Sequence, residues 1–311
     1  MTRPASPAKH RRPPRSFALP RHRALELGGR TRVMGVVNLT PDSFSDGGLW
    51  LSPDRAVAHG LALIEQGADL LDLGAESTRP GGGVYGAETS RAPADEELSR
   101  LLPVIERLRA ATDLPLSVDT RKGEVARQAL AAGADLINDI SALADPELGR
   151  AVAEAGCPLV LMHSRGTLAT MQRDIHYHDL LGEVSAELTE RVERAEAAGI
   201  ARRQLVVDPG IGFGKTYAQN LALLARLDAL DGLELPLLVG ASRKSFIGHL
   251  TGSAPPTDRL AGSLAALAWA AHHGAELVRV HDVAESVRFL AVWEAIEAQG
   301  REASEHGEAA A

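Results

Sequence analysis

Side chains that can form hydrogen bonds, exchange protons or bind anions recur along this chain, each at the end of a short apolar run. In chain order they are Asn38, Asp72, Asp119, Asn138, His163, Asp208, Ser242 to Lys244, Arg279 and His281. A carboxylate such as Asp208 can accept two parallel hydrogen bonds from a planar N–H and NH2 edge, such as a pterin or a guanine offers. Asp119 precedes Thr120-Arg121-Lys122 and could instead cap the following helix.

Basic side chains form a second group, suited to a polyanion. Lys244 lies in the segment Ser-Arg-Lys-Ser, and Arg279 and His281 follow at the next run end. Residues two apart on a strand point to the same side, so Arg279 and His281 should face one pocket. Arg79, in a Gly-rich segment beside small hydroxyl residues, is suited to phosphate through its bidentate fork. A solvated surface arginine is the alternative for Arg79 taken alone.

Other segments are less specific. Asn38 opens a segment that continues through Phe44 and Asp46 to a Gly pair, and such a segment could also be a polar turn. Met162 could pack against a flat ligand or in the core. Gly214-Lys215-Thr216 is not a phosphate-binding P-loop, because Pro209 stands where that motif needs glycine. We find neither a zinc-type ligand cluster nor a compelling Ser–His–Asp triad.

Alternating strand and helix patterns predict how these residues are positioned. Apolar runs predict strands near residues 32–37, 69–74, 115–119, 135–140, 158–163, 204–208, 236–241 and 276–280. Capping and periodicity predict helices near 53–67, 92–111, 122–132, 146–156, 178–198, 217–230, 257–273 and 282–298. Eight such units predict a single (β/α)8 TIM barrel, with the run ends converging at one face. An open doubly wound sheet is the rival fold. The longer segments 38–51 and 75–91 should be functional loops.

Composition limits the possible classes of protein. The 311 residues are 45% hydrophobic and include one cysteine, Cys157, so no disulfide forms within the chain, in keeping with the cytoplasm. No run is long and apolar enough to span a membrane. The formal net charge is −8, to which residues 1–30 contribute +7 and the remaining residues −15. The acidic charge of the larger part argues against nucleic acid as the main ligand. We predict a disordered basic tail over 1–24, a barrel domain over 25–299 and a disordered tail over 300–311.

Seven segments, taken in order, resemble the dihydropteroate synthase family across roughly residues 30–298. They read MGVVNLTPDSFSDGG, ESTRPGG, SVDT, LINDI, LVVDPGIGFGK, GASRKS and RVHDV. Each segment alone is weak evidence for the family, but all seven in this order are specific to it. The resemblance implies that 6-hydroxymethyl-7,8-dihydropterin diphosphate and 4-aminobenzoate are converted to 7,8-dihydropteroate and pyrophosphate. It also implies a dissociative path, Mg2+ on the diphosphate, a homodimer and competition by sulfonamides.

The resemblance further implies roles for individual residues. Pterin would be held by Asp119, Asn138, Met162, Asp208 and Lys244. Diphosphate would contact Asn38, Thr78, Arg79, Arg279 and His281, with Asn38 also a ligand to Mg2+. The 4-aminobenzoate site would be formed by Phe44, Thr78, Pro80, Phe213 and Ser245. Asp46 would pair with Arg79 when the loops close. Catalysis would rest on Asn38, Arg79, Asp119, Lys244, Arg279 and His281.

Two related functions remain as alternatives. A pterin-binding methyltransferase would share the Asp and Asn pterin site but would not need the segments around Phe44 and Arg79, both of which are present. A non-catalytic paralogue should lose loop residues, whereas Asn38, Phe44, Thr78 and Arg79 are all kept.

We expect Arg79→Ala to lower turnover far more than stability. A guanidinium on an exposed loop contributes less than about 1 kcal/mol to folding. Steady-state kinetics beside thermal unfolding test this, and unchanged turnover would contradict the role given to Arg79.

Overall fold

The computed structural model describes residues 14–39, 52–74, 92–166 and 170–308. The described chain opens with an antiparallel hairpin, β1 (Arg15–Leu19) and β2 (Arg23–Leu27). Parallel strands follow. They are β3 (Arg32–Asn38), β4 (Leu70–Gly74), β5 (Leu116–Asp119), β6 (Leu136–Asp139), β7 (Leu159–Met162), β8 (Leu205–Asp208), β9 (Leu238–Val239) and β10 (Leu277–Val280).

The parallel strands form a barrel. Their order is β8-β7-β6-β5-β4-β3-β10-β9, which follows the chain except that β3 and β10 are neighbours. The remaining seam closes where Val207 of β8 pairs with Leu237, just before β9, and donates its N–H to the Pro236 carbonyl at 2.9 Å. The predicted (β/α)8 barrel is therefore confirmed, and the open doubly wound sheet is excluded.

Helices occupy the crossovers between strands. They are α1 (Pro53–Glu65), α2 (Ala94–Ala111), α3 (Gly123–Ala132), α4 (Pro146–Ala155), α5 (Leu180–Ala197), α6 (Tyr217–Ala225), α7 (Ser245–Leu250), α8 (Leu260–His272) and α9 (Val283–Glu308). The side chain of Ser52 caps α1 and that of Asp145 caps α4, each followed by proline at the first helical position. Both helices begin where the sequence predicted them, at residues 53 and 146.

The hairpin closes the amino-terminal end of the barrel. Phe17, Leu19, Leu25 and Leu27 alternate along its strands and are buried. They pack on the first inward layer of the barrel, formed by Met34, Leu70, Leu136, Val160, Val206, Leu238 and Leu277. Burial of each such side chain contributes roughly 1.5–3 kcal/mol, which fixes the hairpin against the barrel.

Polar contacts reinforce the hairpin. Arg21 and Arg23 converge with Arg109 on the carboxylate of Asp135, which is completely buried. The predicted disordered tail of residues 1–24 is therefore wrong for residues 15–24, because the Pro- and Arg-rich composition concealed a period-two apolar pattern. Residues 1–13 lie outside the described part of the chain.

Three further differences concern helices. The last helix continues to Glu308 rather than ending at 298, so residues 300–308 are not the disordered tail that was predicted. Arg301, Glu302, Ala303 and Glu305 in this segment are good helix formers and favour the extension in spite of Gly300 and Gly307. The predicted helix 217–230 ends at Ala225 and gives way to a 3-10 segment, Leu227–Leu233, and α7 was not predicted.

Across the described ranges, we find no helix with the length and apolar character needed to cross a membrane. Cys157 is a free, buried thiol.

Candidate active site

The inner wall of the barrel changes from apolar to polar along the strands. Two residues beyond the apolar layer, on the same side of their strands, lie Asp72, Asn138, Met162, Asp208 and Arg279. Asp119 ends β5 beside Asn138, its register partner. The polar layer therefore lies at the carboxyl ends of the strands, where barrels of this class place their sites.

Arg279 is the centre of this layer. Its Nε donates to Asp72 Oδ2 at 2.6 Å, and its Nη2 lies 3.5 Å from Asp119 Oδ2. Asn138 Nδ2 donates to the same Asp72 oxygen at 3.2 Å. Burial opposes the charge of Arg279, but the carboxylates of Asp72 and Asp119 outweigh it and raise the pKa of the guanidinium. The guanidinium of Arg279 therefore stays charged inside the barrel.

Asp208 is a buried carboxylate that can accept hydrogen bonds from a ligand in addition to the one it accepts from the backbone. It is only 6% exposed, and its Oδ1 accepts the N–H of Gly210 at 2.7 Å. Burial raises the pKa of Asp208 to about 6, although Lys244, Lys215 and Arg279 act in the opposite direction. Near neutral pH it is a carboxylate beside cations, as needed to accept N–H bonds from a flat ligand.

The segment after β8 forms an apolar side of the site. Phe213 is buried with Ile140, Met162 and Met171. The ammonium of Lys244 lies over the Phe213 ring, 4.1 Å from its centroid. Such a cation–aromatic contact holds the ammonium against the face of the ring. Flat apolar surface and charge therefore meet at one place.

His281 sits beside Ser242 at the next strand end. Ser242 Oγ accepts the His281 backbone N–H at 3.2 Å and lies 3.1 Å from His281 Nδ1. Burial, followed by the positive charges of Arg279 and Arg243, lowers the pKa of His281 to about 3. The imidazole is therefore neutral at physiological pH and offers a hydrogen bond rather than a charge to a phosphate.

The structure thus brings most of the described predicted residues together. They are Asp119, Asn138, Met162, Asp208, Phe213, Lys244, Arg279 and His281. Half-buried Asn38 ends β3, and Ser245 begins α7 with an exposed side chain. Five predicted residues lie outside the described ranges, namely Phe44, Asp46, Thr78, Arg79 and Pro80.

Some residues of the site received no role from the sequence. Asp72 and His163 were placed at strand ends only, and Lys215 was considered only within the rejected P-loop. Asp72 is completely buried on Arg279, and Lys215 Nζ lies 2.9 Å from His163 Nδ1. A charged residue two places before the end of an apolar strand was the available signal for Asp72.

Comparisons with known proteins agree with this geometry. The family described as pterin binding enzyme matches residues 34–281. Dihydropteroate synthase of Escherichia coli K12 is 48% identical over 263 residues, covering 85% of this chain and 90% of that protein. The solved structure of the Xanthomonas albilineans dihydropteroate synthase with 4-aminobenzoic acid is 53% identical, with a TM-score of 0.81, and the match covers 91% and 99% of the two chains.

A second solved structure, the Xanthomonas albilineans enzyme in complex with 7,8-dihydropteroate, is 50% identical with a TM-score of 0.80, and the match covers 91% of this chain and 99% of that one. The family match spans most of the barrel, including every parallel strand from Met34 onward. The chain therefore belongs to the pterin-binding enzyme family, among its dihydropteroate synthases.

Proposed function

We propose that the polar end of this barrel condenses 6-hydroxymethyl-7,8-dihydropterin diphosphate with 4-aminobenzoate through the residues described above. The observation that carries this assignment is the buried carboxylate of Asp208, close enough to the cations Lys244 and Arg279 for both to lower its pKa. Asn138 lies in the same inward layer, and Asp119 lies 3.5 Å from Arg279. A flat, N–H-rich ring bearing a polyanion matches both halves of the site.

The pterin end of the substrate would lie on the acidic part of the site. Asp208 accepts two hydrogen bonds from the amino and amide N–H groups of the ring, and Asn138 and Asp119 supply further polar partners. Met162 packs against one face of the ring. Because these groups are buried and already oriented, little ordering is needed when the ring binds.

Bond breaking transfers charge to the leaving group. The bond between the methylene carbon and the diphosphate oxygen breaks with its electron pair on the oxygen, leaving a cationic pterin methylene. The 4-aminobenzoate nitrogen lone pair then forms the new C–N bond, and the nitrogen loses a proton to solvent. No protein nucleophile is needed, so electrostatic stabilisation by Arg279 and Lys244 carries the rate enhancement.

The diphosphate would be held at the rim. Arg279 contributes charge and neutral His281 a hydrogen bond, and Thr78 and Arg79 would join them from outside the described residues. Asn38 offers an amide oxygen at the end of β3, and no group of three or more metal-binding side chains occurs among the described residues. A single protein oxygen is compatible with Mg2+ that substrate phosphates would mainly hold, and the ion would there supply positive charge to stabilise the leaving group.

The 4-aminobenzoate ring would lie between Phe213 and the segment that begins at Ser245. Phe44, Thr78 and Pro80 would complete this pocket, and Asp46 would pair with Arg79 on loop closure. Closure excludes water, which would otherwise capture the cationic methylene. A cytoplasmic location is part of the proposal, supported by the single buried thiol.

A homodimer is the proposed assembly. Trp269 of α8 is 47% exposed, and Val292 and Ile296 of α9 are 63% and 65% exposed. These helices pack on one another, so the three side chains lie on adjacent elements. Large apolar side chains grouped on neighbouring helices are typical of an interface, and a two-fold axis would let the same surface serve both subunits.

The first experiment measures pyrophosphate release by the purified protein with pterin diphosphate, 4-aminobenzoate and Mg2+, omitting each in turn. We expect release that requires all three and is matched by dihydropteroate. Tight pterin binding without release would instead identify a non-catalytic paralogue. A sulfonamide should compete with 4-aminobenzoate in the same assay.

Asp208→Asn should weaken pterin binding about 10- to 100-fold, as expected for loss of roughly 1.5–3 kcal/mol from a hydrogen bond to a charged group. Calorimetry with the pterin measures this, with the remote, half-buried Asp228→Asn as the control, since Asp228 pairs with Arg226 rather than with the site. In the parent, kcat/KM for the pterin should fall as the pH drops below about 6, because Asp208 then gains a proton. A parent profile flat through this region would contradict the assignment.

Ile296→Glu should convert the dimer to a monomer, because a carboxylate cannot be buried unpaired at an apolar interface. Sedimentation equilibrium should give twice 32.9 kDa for the parent and 32.9 kDa for the variant. Leu250→Glu on α7, where the residue is 59% exposed, is the matched control and should stay dimeric. A monomeric parent would refute the homodimer.

A further inference from the structure

We propose that Lys215 is a positioning residue of this enzyme: its buried side chain fixes the segment 210–214 and thereby holds Phe213 and Lys244 in place for both substrates. The inference rests on the roles proposed above for Phe213 and Lys244. Lys215 itself does not touch the reacting atoms.

The amine of Lys215 meets three acceptors. Its Nζ lies 3.0 Å from the carbonyl oxygen of Gly210, 3.0 Å from that of Phe213 and 2.9 Å from His163 Nδ1. An ammonium has three N–H donors and no acceptor, so the charged form satisfies every position of this arrangement. The residue is 2% exposed, which excludes water as an easy substitute.

His163 is held in the form that this contact needs. Its Nε2 lies 3.1 Å from Glu187 Oε2, and the imidazole is completely buried. Burial lowers the pKa of His163 to about 3, so the ring is neutral at physiological pH. A neutral ring that donates from Nε2 to Glu187 must accept at Nδ1, where Lys215 donates.

The segment that Lys215 holds is intrinsically pliant. Gly210, Gly212 and Gly214 have φ of +68°, +86° and +62°, and a Cβ on Gly210 would lie 1.8 Å from the His163 carbonyl oxygen. Glycine is required by this path, and it is also the residue that restrains the backbone least. The conformation therefore depends on contacts made to its polar groups.

Those contacts come from the segment that contains Gln172 and Tyr177, from α6 and from Lys215 itself. Gln172 Nε2 donates to the Gly212 carbonyl at 2.9 Å, and the Tyr177 hydroxyl donates to that of Gly214 at 3.1 Å. Asn220 Oδ1 accepts the N–H of Gly212 at 2.6 Å. Lys215 supplies the contacts to Gly210 and Phe213, on the side of the segment that faces His163.

Displacement of this segment would move side chains that are proposed to contact the substrates. Phe213 supports the Lys244 ammonium at 4.1 Å, and a Cβ on Gly212 would lie 3.0 Å from Lys244 Cδ. Lys244 in turn lies close enough to Asp208 to lower the pKa of that carboxyl. One shift of the segment would therefore move the apolar wall and the pterin-side cation together.

A purely structural role would not favour a lysine here. Burying an ammonium is costly, and an apolar residue of the same length would often be as stable or more so. Burial lowers the pKa of Lys215 to about 7, which reflects that cost. The cost is explained if the three directed N–H bonds set the geometry of the site.

The test compares Lys215→Met with Thr31→Val. Methionine keeps the length of the side chain but donates no hydrogen bond. Thr31 is a matched control, since its buried hydroxyl donates to the Ala275 carbonyl at 3.1 Å at the opposite end of the barrel. The melting temperature of each variant is measured beside its kinetic constants, to separate an effect on folding from an effect on the site. A misplacement of about 1 Å in a site can cost about 100-fold in rate.

We expect Lys215→Met to raise the KM for 4-aminobenzoate and to lower kcat, each by about tenfold, and Thr31→Val to change neither. If Lys215→Met keeps both constants within about twofold of the parent, the inference is wrong whatever the melting temperature of the variant. If Lys215→Met does not fold, Tyr177→Phe decides, because it removes one O–H bond to the same segment. A raised KM supports the inference and an unchanged KM overturns it.

Failure of the proposed function has a different signature. It would appear as an inactive parent protein. The inference would then be read from calorimetry with the pterin alone, in which weaker binding by Lys215→Met than by Thr31→Val supports it and equal binding overturns it.

Discussion

The buried ion pair between Arg279 and Asp72 is the constraint on which the site depends. It joins β10 to β4 across the inside of the barrel, with Asn138 of β6 on the same carboxylate oxygen. Charges removed from water are tolerated only when paired and hydrogen-bonded. Loss of one partner in such a pair typically costs about 3–5 kcal/mol, so the groups that prepare the site for an anion also hold three strands in register.

Burial and neighbouring charges together determine which side chains inside the barrel are charged. Burial keeps His163 and His281 neutral by lowering the pKa of each to about 3, whereas nearby carboxylates keep Arg279 ionised. An unfolded histidine titrates near 6.5, so below that pH the unfolded chain binds more protons than the folded one. These two imidazoles therefore contribute a decrease in the free energy of unfolding as the pH drops below about 6.5.

The sequence predicted the barrel and most of its described polar residues because strand ends must converge. Asp119, Asn138, Asp208 and Arg279 could be placed by position alone, since each ends or nearly ends a buried apolar run. Lys215 could not, because its role comes from contacts with His163, Gly210 and Phe213, and no periodicity reports such contacts.

The hairpin and α7 were not predicted from the sequence, for two other physical reasons. The hairpin carries its apolar pattern within a Pro- and Arg-rich composition typical of disorder, and only docking on the barrel stabilises it. α7 is six residues long, too short for a periodic signal.

The hairpin also fixes at which end of the barrel Arg15 lies. Phe17 and Leu19 pack beneath the first layer of the barrel, at the end opposite Asp208 and Lys244. A fusion partner, affinity tag or surface tether joined directly to Arg15 would therefore be attached at the end of the barrel opposite the mouth through which substrates pass. The same side chains make that end a poor place for truncation, because shortening the chain past Phe17 would uncover the apolar layer to water. Attachment at this end is thus tolerated by geometry, while removal is opposed by the hydrophobic effect.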